Sequence, residues 1–361
     1  MFHMLEEIRQ QPNVVRRIVD EEFHRVEDLA AALKRRNVAY AYVAARGTSE
    51  NAALYGKYLL EIHHGLPVAL AAPSVFTLYG AYPRLGENAL VLGISQSGAA
   101  PDVIEVVKRA RESGALTACI TNEPDSELAQ ASEFPLFMGA GEEVGVAATK
   151  TYTGSLALLA LLSTALDPER PERLAHLRRA ADAMERALTL DDTIRHLVER
   201  YADMQGCVLL GRGFNHATVD DFALKLTETC RLAARSYSAA EFQHGPISQV
   251  ASGLPCLLFA PDGKAFAPMA KLAERLRALP SQDGKGGKPG QDGKAALICF
   301  AHDAAFLAGS ETAVRIPSAV AEWISPLVYV VAAQLFTYHL ATLKGLNPDS
   351  PTGLSKVTQT R

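Results

Sequence analysis

The sequence contains the same unit twice. Moved along by 166 positions, Val43-Ala-Ala-Arg-Gly47 falls on Leu209-Leu-Gly-Arg-Gly213, PVALAAPSVF at 67–76 falls on AARSYSAAEF at 233–242, and 90–93 falls on 256–259, with no gap. A repeat at this distance constrains the fold more than any local pattern, because both copies must fold alike. Each copy alternates short apolar, β-rich runs with longer amphipathic stretches, the pattern of an α/β domain with parallel strands. In the first copy the predicted strands are 39–44, 67–72, 89–94, 116–121 and 134–138. The second copy is interrupted at 281–294 by SQDGKGGKPGQDGK, which reads as a mobile surface loop; 295–300 then supplies its fourth strand and 313–317 its fifth. The fold class is α/β, with two tandem doubly wound, flavodoxin-like domains related by internal duplication. A helical arm at 1–37 precedes the first domain at 38–166. Charged helices at 167–205 lead to the second domain at 206–346, and a tail follows at 347–361.

Composition removes several kinds of partner. With 36 Lys plus Arg against 40 Asp plus Glu, the net charge of −4 offers no basic excess for a phosphate backbone, so no nucleic acid is expected. The N-terminus, MFHMLEEIRQQP, is charged where a signal peptide needs an apolar run. The most apolar late stretch, 327–343, is interrupted by Gln334, Thr337 and His339 and reads as a buried helix, so no membrane is expected either. Five widely spaced cysteines without a CxxC pattern indicate neither a disulfide framework nor a metal site, and they fit a reducing cytoplasm.

Residues present in only one copy are the better functional candidates. After the third strand, copy one carries Ser95-Gln96-Ser97-Gly98 with Pro101-Asp102 opening a helix, where copy two has Pro261-Asp262-Gly263. A strand running into hydroxyls and a helix N-terminus suits a phosphate monoester, and Thr48 and Ser49 after the first strand lie on the same sheet edge. The alternative is a serine-capped helix start. On the helix after Gly213, Lys225 and Glu228 share one face among Phe222, Ala223, Leu224 and Leu226; the alternative is a solvated surface pair. Glu241-Phe-Gln-His244-Gly-Pro246 holds a histidine on a rigid turn, suited to acid–base work or to a structural cap. Two prolines and a glycine keep the tail from being helical.

Taken in order, the GTS turn at 47–49, SQSG at 95–98, GVAATK at 145–150, the Lys225/Glu228 helix, EFQHGP at 241–246 and NPDSPTGLSKVTQT at 347–360 resemble the paired sugar-isomerase (SIS) domains of glucosamine-6-phosphate synthase and its single-function relatives. The resemblance covers nearly the whole chain. It implies that Ser49, Ser95, Gln96 and Ser97 bind the substrate phosphate, with Thr48 beside them. It implies that Glu228 moves a proton between C1 and C2 with Lys225 next to it, and that His244 opens the sugar ring. It further implies that Lys356 of the tail, with Val146 and Ser355, closes the active site. In the synthases the histidine comes from the neighbouring subunit, which implies a homodimer. Where they carry a further phosphate-binding threonine this chain has Ala100. The reaction requires no cofactor and no metal.

The synthases draw ammonia from a glutaminase domain with a cysteine at its mature N-terminus. This chain begins Met1-Phe2 and has no cysteine before Cys119, so glutamine-dependent synthesis is not expected of it. The segments EFxHGP and NPDxPxGLxKVTQT look most like SIS-type glucosamine-6-phosphate deaminases, which implies conversion of glucosamine 6-phosphate to fructose 6-phosphate and ammonia. The other readings are the glutamine–fructose-6-phosphate transaminase itself, a galactosamine-6-phosphate deaminase, a fructosamine-6-phosphate deglycase, and a non-catalytic sugar-phosphate sensor.

Overall fold

The computed structural model describes residues 2–252, 254–279 and 296–356; the 281–294 insertion lies outside them. The chain forms two compact units. One comprises Gln10–Ala181 with Thr352–Arg361, the other Met1–Arg9 with Asp182–Pro351.

Helices α1 (His3–Glu21) and α2 (Phe23–Arg35) lead into the first sheet. There β1 (Tyr40–Ala44), α3 (Thr48–His64), β2 (Val68–Leu70), α4 (Ser74–Thr77), β3 (Ala89–Ile94), α5 (Pro101–Glu112), β4 (Leu116–Thr121), α6 (Glu127–Ala131) and β5 (Phe134–Phe137) alternate, followed by α7 (Lys150–Leu166) and α8 (Arg170–Ala187). The five strands are parallel in the order β2-β1-β3-β4-β5. β3 (ALVLGI) and β4 (LTACIT) are buried at every position, which is why they read as continuous apolar runs rather than alternations. α5 lies so close to β3 that a Cβ on Gly93 would meet Val107 at 2.9 Å. β2 is only three residues long, shorter than the six predicted, because it is an edge strand cut off by the α4 turn that begins after Pro73.

The other unit repeats the scheme with α9 (Asp191–Val198), β6 (Gly206–Gly211), α10 (Phe214–Cys230), β7 (Ala233–Ser238), α11 (Ala239–Phe242), β8 (Cys256–Ala260), α12 (Phe266–Arg277), β9 (Leu297–Ala301), α13 (Ala304–Ala308), β10 (Thr312–Arg315) and α14 (Ser325–Leu343). Its strands are parallel in the order β10-β9-β8-β6-β7, the same topology. The duplication reaches the backbone angles. Gly47 (φ +55°, ψ −130°) and Gly213 (φ +59°, ψ −134°) open α3 and α10, and Gly65 (φ +59°) and Arg231 (φ +55°) close them in the left-handed conformation. The apolar 327–343 stretch is the buried helix α14. Glu322–Leu343 is long and apolar enough to cross a membrane, yet its apolar window is wholly buried within the protein. α14 packs on α10, and Phe222, Phe259, Phe300 and Phe336 meet beneath them with ring centroids from 4.7 to 6.4 Å apart. The five cysteines are buried thiols whose pKa burial raises, Cys119 to about 11 and Cys230 and Cys256 to about 12.

Candidate functional site

In the first unit the strand order reverses between β1 and β3, and a doubly wound sheet opens a crevice at the carboxyl ends of such a pair. Ala44 of β1 lies beside Gly93 of β3, so the turns that follow them, 45–49 and 95–98, are neighbours. Arg46 of the first turn reaches α5, the helix that follows the second: its Nε donates to Asp102 Oδ2 at 2.6 Å, while Asp102 Oδ1 accepts the Val103 N–H at 2.9 Å. Thr48, Ser49, Ser95, Gln96 and Ser97 thus share one edge, as the sequence predicted.

The serine segment is not a helix cap. The N-cap of α5 is Ala100, without a side-chain cap, and Ser97 Oγ instead accepts the Ala99 N–H at 3.3 Å. What shapes the turn is Gly98, at φ +59°. A Cβ there would stand 2.1 Å from Ser126 Oγ and 2.9 Å from Thr121 Oγ1, the hydroxyl that donates to the Gln96 carbonyl. Ser95 is buried at 8% exposure.

The same place in the second unit is already filled by a carboxylate. Glu322 Oε2 accepts the Lys264 N–H at 2.7 Å and Oε1 the Ala265 N–H at 2.9 Å, and a Cβ on Gly263 would meet Glu322 Oε2 at 2.4 Å. Backbone N–H groups at the start of a helix favour an anion. The second unit supplies that anion from its own chain, whereas in the first the hydroxyls take its place.

Two residues that sequence reasoning missed complete this edge of the first sheet. Asn122, at the end of β4, donates its backbone N–H to the Gln96 carbonyl at 3.0 Å, while its side chain accepts the Ala140 N–H and donates to the Gly141 carbonyl. It joins the serine turn to the 140–146 segment that carries Val146. In that segment the side chain of Glu143 is fully buried. Its Oε1 accepts the N–H groups of Thr149 (2.9 Å) and Thr151 (3.1 Å), and its Oε2 accepts Thr151 Oγ1 (2.7 Å) and Lys356 Nζ (2.8 Å). Lys356 also donates to the Gly145 carbonyl at 2.5 Å. Lys356, with Ser355 before it, is thereby brought to the Val146 segment. Burial alone would raise the Glu143 pKa; the Lys356 ammonium and the bonds from Thr149 and Thr151 outweigh burial and hold it below the ordinary carboxylate range. Their stabilisation is complete above the unfolded glutamate value of about 4.3 and is lost as pH falls through the lower folded value.

In the second unit Lys225 and Glu228 lie three apart on α10, Nζ to Oε2 at 2.7 Å. The lysine side chain is 2% exposed and the glutamate 22%, so this is not the solvated pair that spacing alone suggests. α10 leaves the carboxyl end of β6 and returns to the amino end of β7, which places Glu228 near the amino edge of the sheet. His244 follows β7 and α11 at the opposite edge, beyond roughly 20 Å of strand. It is exposed, on a turn closed by Gly245 (φ +149°). Glu228 and His244 of one chain are therefore kept apart. A cavity of about 540 Å³ in this unit contains none of these residues; the His339 on its wall is held by Asp191, itself paired with Arg9. Among the described residues no group of three His, Cys, Asp or Glu side chains is placed to hold a metal ion.

Residues 36–165 match the SIS domain family. The chain is 33% identical over 356 residues to the glutamine–fructose-6-phosphate aminotransferase (isomerizing) of Methanothermobacter thermautotrophicus, an alignment covering 98% of this chain and 56% of that protein. It spans little more than half the length of the curated relatives it matches. A crystal structure from Silicibacter pomeroyi DSS-3, titled for a phosphosugar isomerase, aligns over 97% of this chain and 100% of that one, with 32% identity and a TM-score of 0.79. The C-terminal domain of glucosamine-fructose-6-phosphate aminotransferase from Francisella tularensis shares the fold at 24% identity, with a TM-score of 0.86 over 97% of this chain and 98% of that one. The fold and its relatives define a protein of two tandem SIS domains, the architecture of the phosphosugar isomerase and aminotransferase structures above. The chain belongs to the SIS-domain family, with the domain present twice in tandem.

Proposed function

We propose that the enzyme deaminates glucosamine 6-phosphate to fructose 6-phosphate. Ser49, Ser95, Gln96 and Ser97, with Thr48, hold the phosphate. His244 moves a proton between the ring oxygen and O1 to open the hemiacetal. Glu228 then takes the proton from C2 and returns it to C1, which passes the sugar through an enolamine to a ketimine. Water adds to C2 and ammonia leaves, so one amino sugar phosphate and one water give one ketose phosphate and one ammonia. The Lys225–Glu228 pair carries the reading: a lysine side chain 2% exposed lies 2.7 Å from the Glu228 carboxylate and holds it in one place on α10, as a positioned base requires. Five buried thiols suit a reducing cytoplasm.

A coupled assay reporting ammonia and fructose 6-phosphate together tests the reading. Equal rates of the two products support it, and no turnover above a Glu228→Gln control contradicts it. The second reading rests on the curated relatives, which are named aminotransferases. In that case the same steps run in reverse give glucosamine 6-phosphate from fructose 6-phosphate and ammonium, and a low KM for ammonium in that direction tells this reading from the first.

The separation of Glu228 from His244 along one sheet supports a homodimer in which His244 serves the partner's site. Glu228→Gln and His244→Ala chains should each be inactive, yet refolded together they should recover about a quarter of wild-type turnover, because half the dimers hold one intact composite site. No recovery, with mixed dimers verified by mass, would place both groups in one chain's site.

A further inference from the structure

We propose that Glu143 is a positioning residue whose buried carboxylate fixes the Lys356 amine, and through it the tail, against the 143–151 segment. The inference deepens the reading above and rests on what the resemblance implies of the tail, that Lys356 closes the active site. The two oxygens of Glu143 divide the work. Oε1 accepts the N–H groups of Thr149, the N-cap residue of α7, and of Thr151, so it closes the helix start. Oε2 faces Thr151 Oγ1 and Lys356 Nζ. A cap needs only the first oxygen. The second, wholly out of water, needs a cation, and the tail provides it from 213 positions away.

The tail gives the same indication from its own side. Residues 352–355 are exposed, and Gly353 turns the chain at φ +85°. Lys356 is the first of these residues to be partly covered, at 27% side-chain exposure. A lysine loses more rotamer freedom on fixation than almost any residue, and the two bonds of Lys356 offset that loss and fix its amine in place. With two of its three N–H groups committed to Glu143 and Gly145, the third points in one direction. That is the arrangement a group needs if it is to meet a substrate oxygen without searching for it.

The test uses the full chain and two readouts. Endoproteinase Lys-C cuts after Lys356 and releases the pentapeptide 357–361, which mass spectrometry follows. In Glu143→Gln this release should be at least tenfold faster than in wild type; an unchanged rate overturns the proposal whatever the enzyme turns over. If Glu143→Gln does not stay folded at the assay temperature, Glu143→Asp, which withdraws the charge by one methylene, is read in the same way. The second readout is turnover. If Glu143 acts through Lys356, the Glu143→Gln/Lys356→Met double variant should be no slower than Lys356→Met alone. A merely structural glutamate would instead lower the melting temperature, leave cleavage after Lys356 unchanged and slow the double variant further. Absence of any amino-sugar-phosphate turnover would remove the deaminase reading and leave the cleavage result to decide this one.

Discussion

Replacing Glu228 by glutamine should lower turnover of glucosamine 6-phosphate by about a thousandfold, the scale expected when a positioned general base is lost. The substitution keeps the shape of the side chain and removes its ability to accept a proton. KM should stay within a few-fold of wild type, because Glu228 has no part in the proposed phosphate contacts and a base acting only in the transition state adds little to ground-state binding. Stability should fall as well. Lys225 is 2% exposed and loses the carboxylate 2.7 Å from its amine, and removing one partner of a charge pair costs several kcal/mol when burial is complete. Glu228 is 22% exposed, so a smaller loss of about 1 to 2 kcal/mol is expected here. Urea unfolding of the variant, run beside its kinetics, separates the two effects. A variant that keeps its turnover would leave Glu228 as a structural partner of Lys225.

Gly98→Ala should damage the phosphate turn as severely as Glu228→Gln damages catalysis. The residue sits at φ +59°, where an L side chain costs about 1 to 2 kcal/mol. The larger part is overlap, because the new methyl would lie 2.1 Å from Ser126 Oγ and 2.4 Å from its Cβ. Ser126 caps α6 by accepting the Ala129 N–H, and Thr121 Oγ1 supports the Gln96 carbonyl, so neither neighbour can yield without giving up a hydrogen bond. A total loss of about 3 to 4 kcal/mol is expected, with KM raised roughly a hundredfold in the molecules that remain folded. Adding Ser126→Gly should recover the overlap part and leave the conformational part. No recovery in the double variant would show that backbone conformation, rather than overlap, dominates.

The repeat made most of the fold legible, because a chain that must fold twice shows its strand positions twice. Predicted strands at 89–94 and 116–121 coincide with β3 and β4, and α3 and α10 begin and end 166 positions apart. Backbone conformation was less visible. Gly65 announces a left-handed helix end, whereas Arg231 adopts the same conformation without a glycine to signal it. Of the proposed site, the residues that short motifs mark in the sequence are Ser95 to Ser97, Lys225 with Glu228, and His244. Asn122 and Glu143 could not, since each acts through partners distant in the chain, Gln96 and Lys356, and neither spacing nor periodicity encodes such a partnership. The packing of α10 is likewise invisible in its own sequence, because α14 lies on it from a hundred residues further along.

The difference between the two copies has a simple electrostatic basis. Both turns after the third strand lie at the start of a helix, and in the second unit Glu322 occupies that place from within the chain. An anion supplied internally leaves little for an external one to gain. The first unit carries hydroxyls on the serine segment, where among the described residues no carboxylate is a hydrogen-bond partner, and the proposed phosphate site there needs no basic patch on a chain of net charge −4.

The central claim is that Glu228 transfers a proton between C1 and C2 of an amino sugar phosphate that then loses ammonia. Nuclear magnetic resonance of glucosamine 6-phosphate turning over in D₂O follows the carbon-bound hydrogens and the product together. The account predicts fructose 6-phosphate with deuterium or transferred hydrogen at C1, ammonia in equal amount, and neither in the Glu228→Gln chain. Binding of the sugar phosphate with its C2 hydrogen retained and no ammonia released would contradict it.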